Sequence, residues 1–162
     1  MTGLRNRRTF EEDLAAFLVD PKVRPLTLLM LDLDGFKAFN DRKGHPAGDL
    51  RLSAVARAIT SAVRATDRPY RYGGDEFAVL LPNTPRDIGV LVAGRINVAI
   101  AALYAGVGAP VTVSIGAASD PDDATTRDGL VNAADGALYQ AKASGGNQVA
   151  TLEVASGGVA VR

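Results

Sequence analysis

Arg68-Pro69-Tyr70-Arg71-Tyr72-Gly73-Gly74-Asp75-Glu76-Phe77-Ala78-Val79-Leu80-Leu81 is the stretch around which the rest of the chain organises itself. Arg68 to Tyr72 and Phe77 to Leu81 read as two short strands around a tight Gly73-Gly74 turn, a β-hairpin whose tip carries Asp75 and Glu76. Upstream, Leu26 to Asp32 is a continuous apolar run of strand length between Pro25 and Gly35, the pattern of a central strand buried on both faces. That strand also ends in acid, at Asp32 and Asp34.

Helical periodicity fills the intervals. Phe10, Leu14, Phe17 and Leu18 predict a first helix ending near Asp20-Pro21. A loop rich in Gly and Asp is expected from Asn40 to Asp49, followed by a helix whose face runs from Leu52 through Val55, Ala56, Ile59, Ala62 and Val63 up to Thr66. Pro85 sits at a helix start, with Ile88, Val92, Ile96, Ala99 and Leu103 as its apolar stripe. Val111, Val113 and Ile115 alternate as a strand. Leu130, Ala134, Ala137, Leu138 and Ala141 form a last helical face that stops at Gly145-Gly146. A short strand near Gln148 to Val154 closes a domain of residues 1–154, and 155–162 read as a frayed tail. Helices and strands in this alternation, with a hairpin among them, predict an α/β fold with a mostly antiparallel sheet flanked by helices.

Composition narrows the chemistry. The 162 residues, 47% of them hydrophobic, suffice for one core and one domain. Eighteen Lys plus Arg balance eighteen Asp plus Glu, so the footprint of a general nucleic-acid or membrane-surface binder is missing and an anionic ligand must be held by local charge. The absence of cysteine excludes a disulfide scaffold, a thiolate nucleophile and a zinc finger, and agrees with a cytoplasmic setting. No apolar run approaches the roughly 20 residues of a membrane helix.

Asp32 and Asp34 lie where open α/β sheets hold ligands, and the hairpin tip with Asp75 and Glu76 can come alongside. Close carboxylates repel by about 4 kcal/mol per pair at an effective dielectric near 20 unless a cation neutralises them. With one His and no Cys, such a cluster predicts Mg²⁺ or Mn²⁺. On the residues alone, Asp34 fits an Asp-Gly turn and Glu76 a solvated turn equally well. The Gly73-Gly74 pair tips the balance, because it lets backbone approach a ligand.

Arg71-Tyr72-Gly73-Gly74-Asp75-Glu76-Phe77 resembles the signature of the GGDEF family, the diguanylate cyclases. Thr2-Gly3-Leu4-Arg5-Asn6-Arg7-Arg8, Asp32-Leu33-Asp34-Gly35-Phe36-Lys37, Gly44-His45-Pro46-Ala47-Gly48-Asp49, Ser114-Ile115-Gly116 and Ala137-Leu138-Tyr139-Gln140-Ala141-Lys142 follow the family's order over nearly the whole chain. The resemblance implies a palm-like fold related to nucleotide cyclases and polymerases, and condensation of two GTP into cyclic di-GMP and two pyrophosphates across a homodimer. It implies that Asp32, the Leu33 carbonyl and Asp75 hold Mg²⁺ or Mn²⁺ with Glu76 beside them. Asn40 and Asp49 would read the guanine edge, while Phe36, Lys37 and Lys142 would contact the phosphates. Asp75, Glu76 and Lys37 are thereby the expected catalytic residues. His45 is expected to pack its loop.

Arg64-Ala65-Thr66-Asp67 has the spacing of the family's product-inhibition site, with Arg95 completing it; an ordinary helix C-terminus with Arg64 on the dipole is the alternative. The family's Lys-x-x-Gly-Arg-Asn pattern is here Lys142-Ala143-Ser144-Gly145-Gly146-Asn147, so Gly146 stands where a phosphate-binding Arg is expected and weak GTP binding follows. That departure keeps a binding module without turnover as the rival to an enzyme. A different metal-dependent nucleotide cyclase is a third reading, disfavoured by Asn40 and Asp49. The turn at Thr2-Gly3 lacks the usual preceding Asp, which suggests a missing N-terminal regulatory domain, one that could also anchor the whole protein to a membrane.

Overall fold

The computed structural model describes residues 1–106, 108 and 110–152. Among these, six strands form one sheet in the order β1-β3-β4-β2-β5-β6: β1 (Arg5–Asn6), β2 (Leu26–Leu33), β3 (Arg68–Arg71), β4 (Glu76–Leu81), β5 (Val113–Asp120) and β6 (Val149–Thr151). β2 sits between β4 and β5 and is antiparallel to both, and β3 is antiparallel to β4. Only the short edge strands β1 and β6 pair in parallel. The helices are α1 (Arg7–Val19), α2 (Phe36–Lys43), α3 (His45–Ala62), α4 (Arg86–Ala102) and α5 (Arg127–Ala143).

Period-two alternation along the central strands sorts the core into two layers. Leu29, Leu31 and Leu33 of β2 join Phe77 and Val79 of β4 beneath α3 and α4. Leu26, Leu28 and Met30 join Ala78 and Leu80 beneath α1 and α5. Both faces of β2 are therefore covered, which is why its sequence is continuously apolar. Close packing of α5 on β5 depends on Gly116, where a Cβ would stand 2.1 Å from the Ala134 carbonyl oxygen.

On the α1 side, Tyr70 is fully buried and its hydroxyl donates to Asp13 at 2.5 Å. Arg68 approaches the same carboxylate at 3.2 Å, and Phe10 packs edge-on against Tyr70 and Tyr72. These contacts bind α1 to the strand that leads into the hairpin tip.

Several local expectations are corrected. The predicted loop from Asn40 to Asp49 is two helices meeting at Gly44, whose φ of +83° turns the chain between them. A helix start was masked there by Pro46 and Gly48, which sit in the first turn, where Pro needs no N–H partner. The helix ends at Ala62 rather than Thr66, so Arg64 lies beyond it. β5 begins at Val113 and is buried at every position, without the alternation inferred from Val111 onward. β1 is too short to leave a periodic signal. β6 matches the expected final strand as far as Thr151, while residue 154 and the tail at 155–162 lie outside the described residues.

Candidate active site

Register concentrates the acids. Asp32 of β2 stands opposite Glu76 of β4, and both continue the face that carries Met30 and Ala78 toward the α1 and α5 layer. There the Lys142 ammonium of α5 lies 2.6 Å from Asp32 Oδ1. Asp75, just before β4, stands near enough to Asp32 and Glu76 to raise both carboxyls. It lines a cleft of about 390 Å³ together with Phe36, Lys37, Asn40, Asp49 and Arg71.

The acids sit in mutual repulsion. Burial raises the Asp32 carboxyl above its ordinary value, Asp75 and Asp34 add to the rise, and the Lys142 ammonium opposes it. Glu76 is raised first by burial and then by Asp32, Asp75 and Asp135, again against Lys142. Among the described residues no three acidic or histidine side chains converge as a ready-made ion cage. Mg²⁺, however, is ordinarily held by one or two carboxylates with substrate phosphates and water filling the remaining positions. Glu76, together with Asp32 once Lys142 turns to phosphate, fits that demand.

Gly73 has a different reason from the one the sequence suggests. Neither Gly73 nor Gly74 adopts a positive φ. A Cβ at Gly73 would instead stand 2.3 Å from a Glu76 carboxylate oxygen, so the missing side chain makes room for that acid. Arg71 then fastens the turn, donating from Nε to the Gly73 carbonyl at 3.2 Å and from a terminal nitrogen to the Gly74 carbonyl at 2.9 Å. Its place in the signature is visible in the sequence, but the brace is not, because carbonyl partners leave no residue-type pattern.

Asp34 leaves the acidic cluster in its expected role. Its Oδ1 accepts from the Ser114 hydroxyl at 2.7 Å, and its Oδ2 from the Thr112 hydroxyl at 2.8 Å and the Asn147 amide at 2.9 Å. With both oxygens committed, Asp34 joins the end of β2 to the start of β5 and to the turn after α5. That turn contains Gly146 at φ +72°, where a Cβ would lie 3.1 to 3.3 Å from the Asp34 carboxylate. Glycine is therefore the residue that the backbone of this turn favours.

His45 corrects another expectation: it is exposed at the start of α3 and faces the cleft rather than packing a loop. Asp135 is an acid that sequence reading missed. It lies seven residues before Lys142 on α5, two helical turns away on the same face, and burial raises its carboxyl while Arg7 lowers it. That spacing was the available signal.

Arg64, Asp67 and Arg95 come together at the far end of α3. Asp67 is buried and its Oδ2 accepts the Arg64 backbone amide at 2.8 Å. Arg95 of α4 donates to the Ala62 carbonyl at 2.6 Å, and both arginines remain exposed.

Residues 1–148 match the family described as diguanylate cyclase, GGDEF domain. The chain belongs to the GGDEF family. Diguanylate cyclase A of Treponema denticola is 42% identical over 131 residues, which is 79% of this chain and 35% of that protein. The solved GGDEF domain of YfiN (TpbB) from Pseudomonas aeruginosa superimposes with a TM-score of 0.85 at 37% identity, covering 94% of this chain and 100% of the other. The coiled coil and GGDEF domain of DgcB from Caulobacter crescentus, solved in complex with c-di-GMP, gives a TM-score of 0.83 at 29% identity over 93% of this chain and 83% of the other. The fold is therefore the palm-like GGDEF fold. This GGDEF chain spans about a third of the length of the curated relatives it matches. Among the described residues no helix is long and apolar enough to cross a membrane.

Proposed function

We propose that the domain condenses two molecules of GTP into cyclic di-GMP, releasing two pyrophosphates. The observation that supports this most directly is the cleft that joins Asn40 and Asp49 of α2 and α3 to Asp75 at the hairpin tip. Each 3′-hydroxyl attacks the α-phosphate of the other GTP, forming two phosphodiester bonds and breaking two bonds to pyrophosphate.

Asn40 and Asp49 bind the guanine edge. An Asp acceptor matches the N1–H and N2 donors of guanine, and it is left unpaired by adenine. Lys37 and Lys142 attract the triphosphate, with Phe36 and Lys37 at the start of α2 offering backbone amides. Asp32, Asp75, the Leu33 carbonyl and Glu76 would hold Mg²⁺ or Mn²⁺. When bound, that ion screens phosphate charge and favours ionisation of the attacking hydroxyl. Asp32 and Glu76, both raised by burial and repulsion, gain most from the added cation.

A two-fold product requires two GTP-loaded sites face to face, so catalysis belongs to a homodimer. Arg64, Asp67 and Arg95 form a product-inhibition site, and a regulatory segment outside this chain would bring two domains together. Gly146 supports a second reading, a GTP or cyclic di-GMP binding module with little turnover, since glycine lacks the guanidinium an arginine would supply and its own amide is committed to the Ala141 carbonyl.

Incubation with GTP and Mg²⁺ at several protein concentrations, with chromatographic detection, separates the two. Cyclic di-GMP formed at a rate rising faster than linearly with protein supports the enzyme; saturable GTP binding without product supports the module.

A further inference from the structure

Asn40 and Gly48 meet across the junction of α2 and α3. A Cβ on Gly48 would stand 1.9 Å from Asn40 Oδ1, 2.9 Å from its Cγ and 3.2 Å from its Nδ2. The whole carboxamide thus occupies the volume that any side chain at position 48 would fill. Among the described residues, Asn40 Oδ1 is also buried with no hydrogen-bond partner. Buried amide oxygens are ordinarily paired, and the direction of a side-chain amide is ordinarily fixed by those pairings. For this oxygen the close fit against Gly48 stands where such a pairing would be.

Gly48 carries no backbone demand of its own. It lies in the first turn of α3, is buried, and has no positive φ. Alanine would be the better helix former there. A residue that is unfavourable for its helix and unnecessary for its backbone is explained by what it makes room for.

We propose that Gly48 is a positioning residue for guanine recognition: the absence of its side chain lets the Asn40 carboxamide lie inward beside the cleft in the orientation that meets the base. This rests on the reading of Asn40 as a guanine contact. Because the obstructing atoms belong to the end of a side chain, a methyl group at position 48 is accommodated by rotating the Asn40 amide away, while the helix pair stays in place.

The test compares Gly48→Ala, Asn40→Ala and the double variant for GTP and ATP affinity by calorimetry, for melting temperature, and for the Asn40 side-chain amide resonances by NMR. Gly48→Ala is expected to melt near the wild type, to shift the Asn40 amide resonances, and to weaken GTP binding roughly tenfold, the scale of one lost polar contact. ATP binding should change little, so the preference for guanine narrows. The double variant should bind GTP no worse than either single one, since the same contact is lost only once. Wild-type GTP affinity in Gly48→Ala, or losses that multiply in the double variant, would overturn the proposal. So would a large fall in melting temperature that Asn40→Ala does not relieve, because the helices rather than the amide would then be what yields. Failure of the guanine reading is distinct: the Asn40 resonances move in Gly48→Ala, yet Asn40→Ala leaves GTP affinity and the preference over ATP untouched.

Discussion

The Lys142 ammonium stands 2.6 Å from the Asp32 carboxylate, so a residue assigned to the phosphates of GTP neutralises, in the free protein, an acid assigned to the metal. The pair is unequally buried, with 41% of the Lys142 side chain exposed against 15% of Asp32. Lysine can therefore swing out to phosphate at small cost, leaving Asp32 to an incoming cation.

Lys142→Gln should consequently move two affinities in opposite directions. Mn²⁺ binding without nucleotide should tighten by up to about fivefold, the worth of a partly exposed ion pair. GTP binding should weaken by roughly tenfold through loss of a charge-assisted phosphate contact. Calorimetry of both ligands checks this, and a fall in both affinities would contradict the exchange.

Glu76→Gln should stabilise the metal-free fold. The Glu76 carboxyl is raised in the folded state by burial and by neighbouring acids, so its contribution to stability is fully present below the ordinary value of 4.5 and is lost as pH rises through the shifted one. Removing the charge restores that loss. The variant should melt about 1 to 3 °C above the wild type near neutral pH, after discounting for solvent screening, and the gap should close in acid. Equal melting temperatures at neutral pH would show that Glu76 carries no such penalty.

Gly146→Arg tests the turn against the family pattern. A non-glycine residue held in the left-handed region costs about 1 to 2 kcal/mol, equivalent to roughly 2 to 8 °C in melting temperature for a chain of this size. The contact with Asp34 adds to the cost. The added guanidinium should gain less for GTP than a free arginine would, because Asp34 is its immediate neighbour. Unchanged stability with GTP binding tightened tenfold or more would mean that the turn adapts freely.

Arg64→Ala should weaken cyclic di-GMP binding by about ten- to a hundredfold, the range for hydrogen bonds to charged groups. Its side chain is exposed, and Asp67 holds its backbone amide, so the turn should survive and the melting temperature stay within about 1 °C. Unaltered product affinity by calorimetry would leave Arg64 as a surface residue beyond a helix end.

The order of elements and the position of the acids were legible because they depend on periodicity and on a hairpin with an unmistakable turn. β2 reveals itself as an unbroken apolar run because helices cover both its faces. Three features were not legible, and each depends on atoms rather than on residue type. Gly48 and Pro46 disguised the start of α3 as loop, although both serve its first turn. Gly73 read as a turn glycine that lets backbone approach a ligand, whereas its missing side chain clears space for Glu76. Asp34 read equally as a member of the acidic cluster or as part of an Asp-Gly turn, and its partners Thr112, Ser114 and Asn147, distant in sequence, commit both its oxygens to the fold.

Asp75 is the hairpin-tip acid that faces the cleft, and its replacement is the sharpest test of what the cleft does. Asp75→Asn removes a charge from a half-buried turn and leaves the two core layers untouched, so the variant should fold. Wild type and Asp75→Asn are incubated with GTP and Mg²⁺ under identical conditions, and cyclic di-GMP and pyrophosphate are quantified. The wild type should release two pyrophosphates for each cyclic di-GMP, and the folded variant should make neither above background. Undiminished product from Asp75→Asn, or none from a demonstrably dimeric wild type, would contradict the assignment of cyclase chemistry to this site.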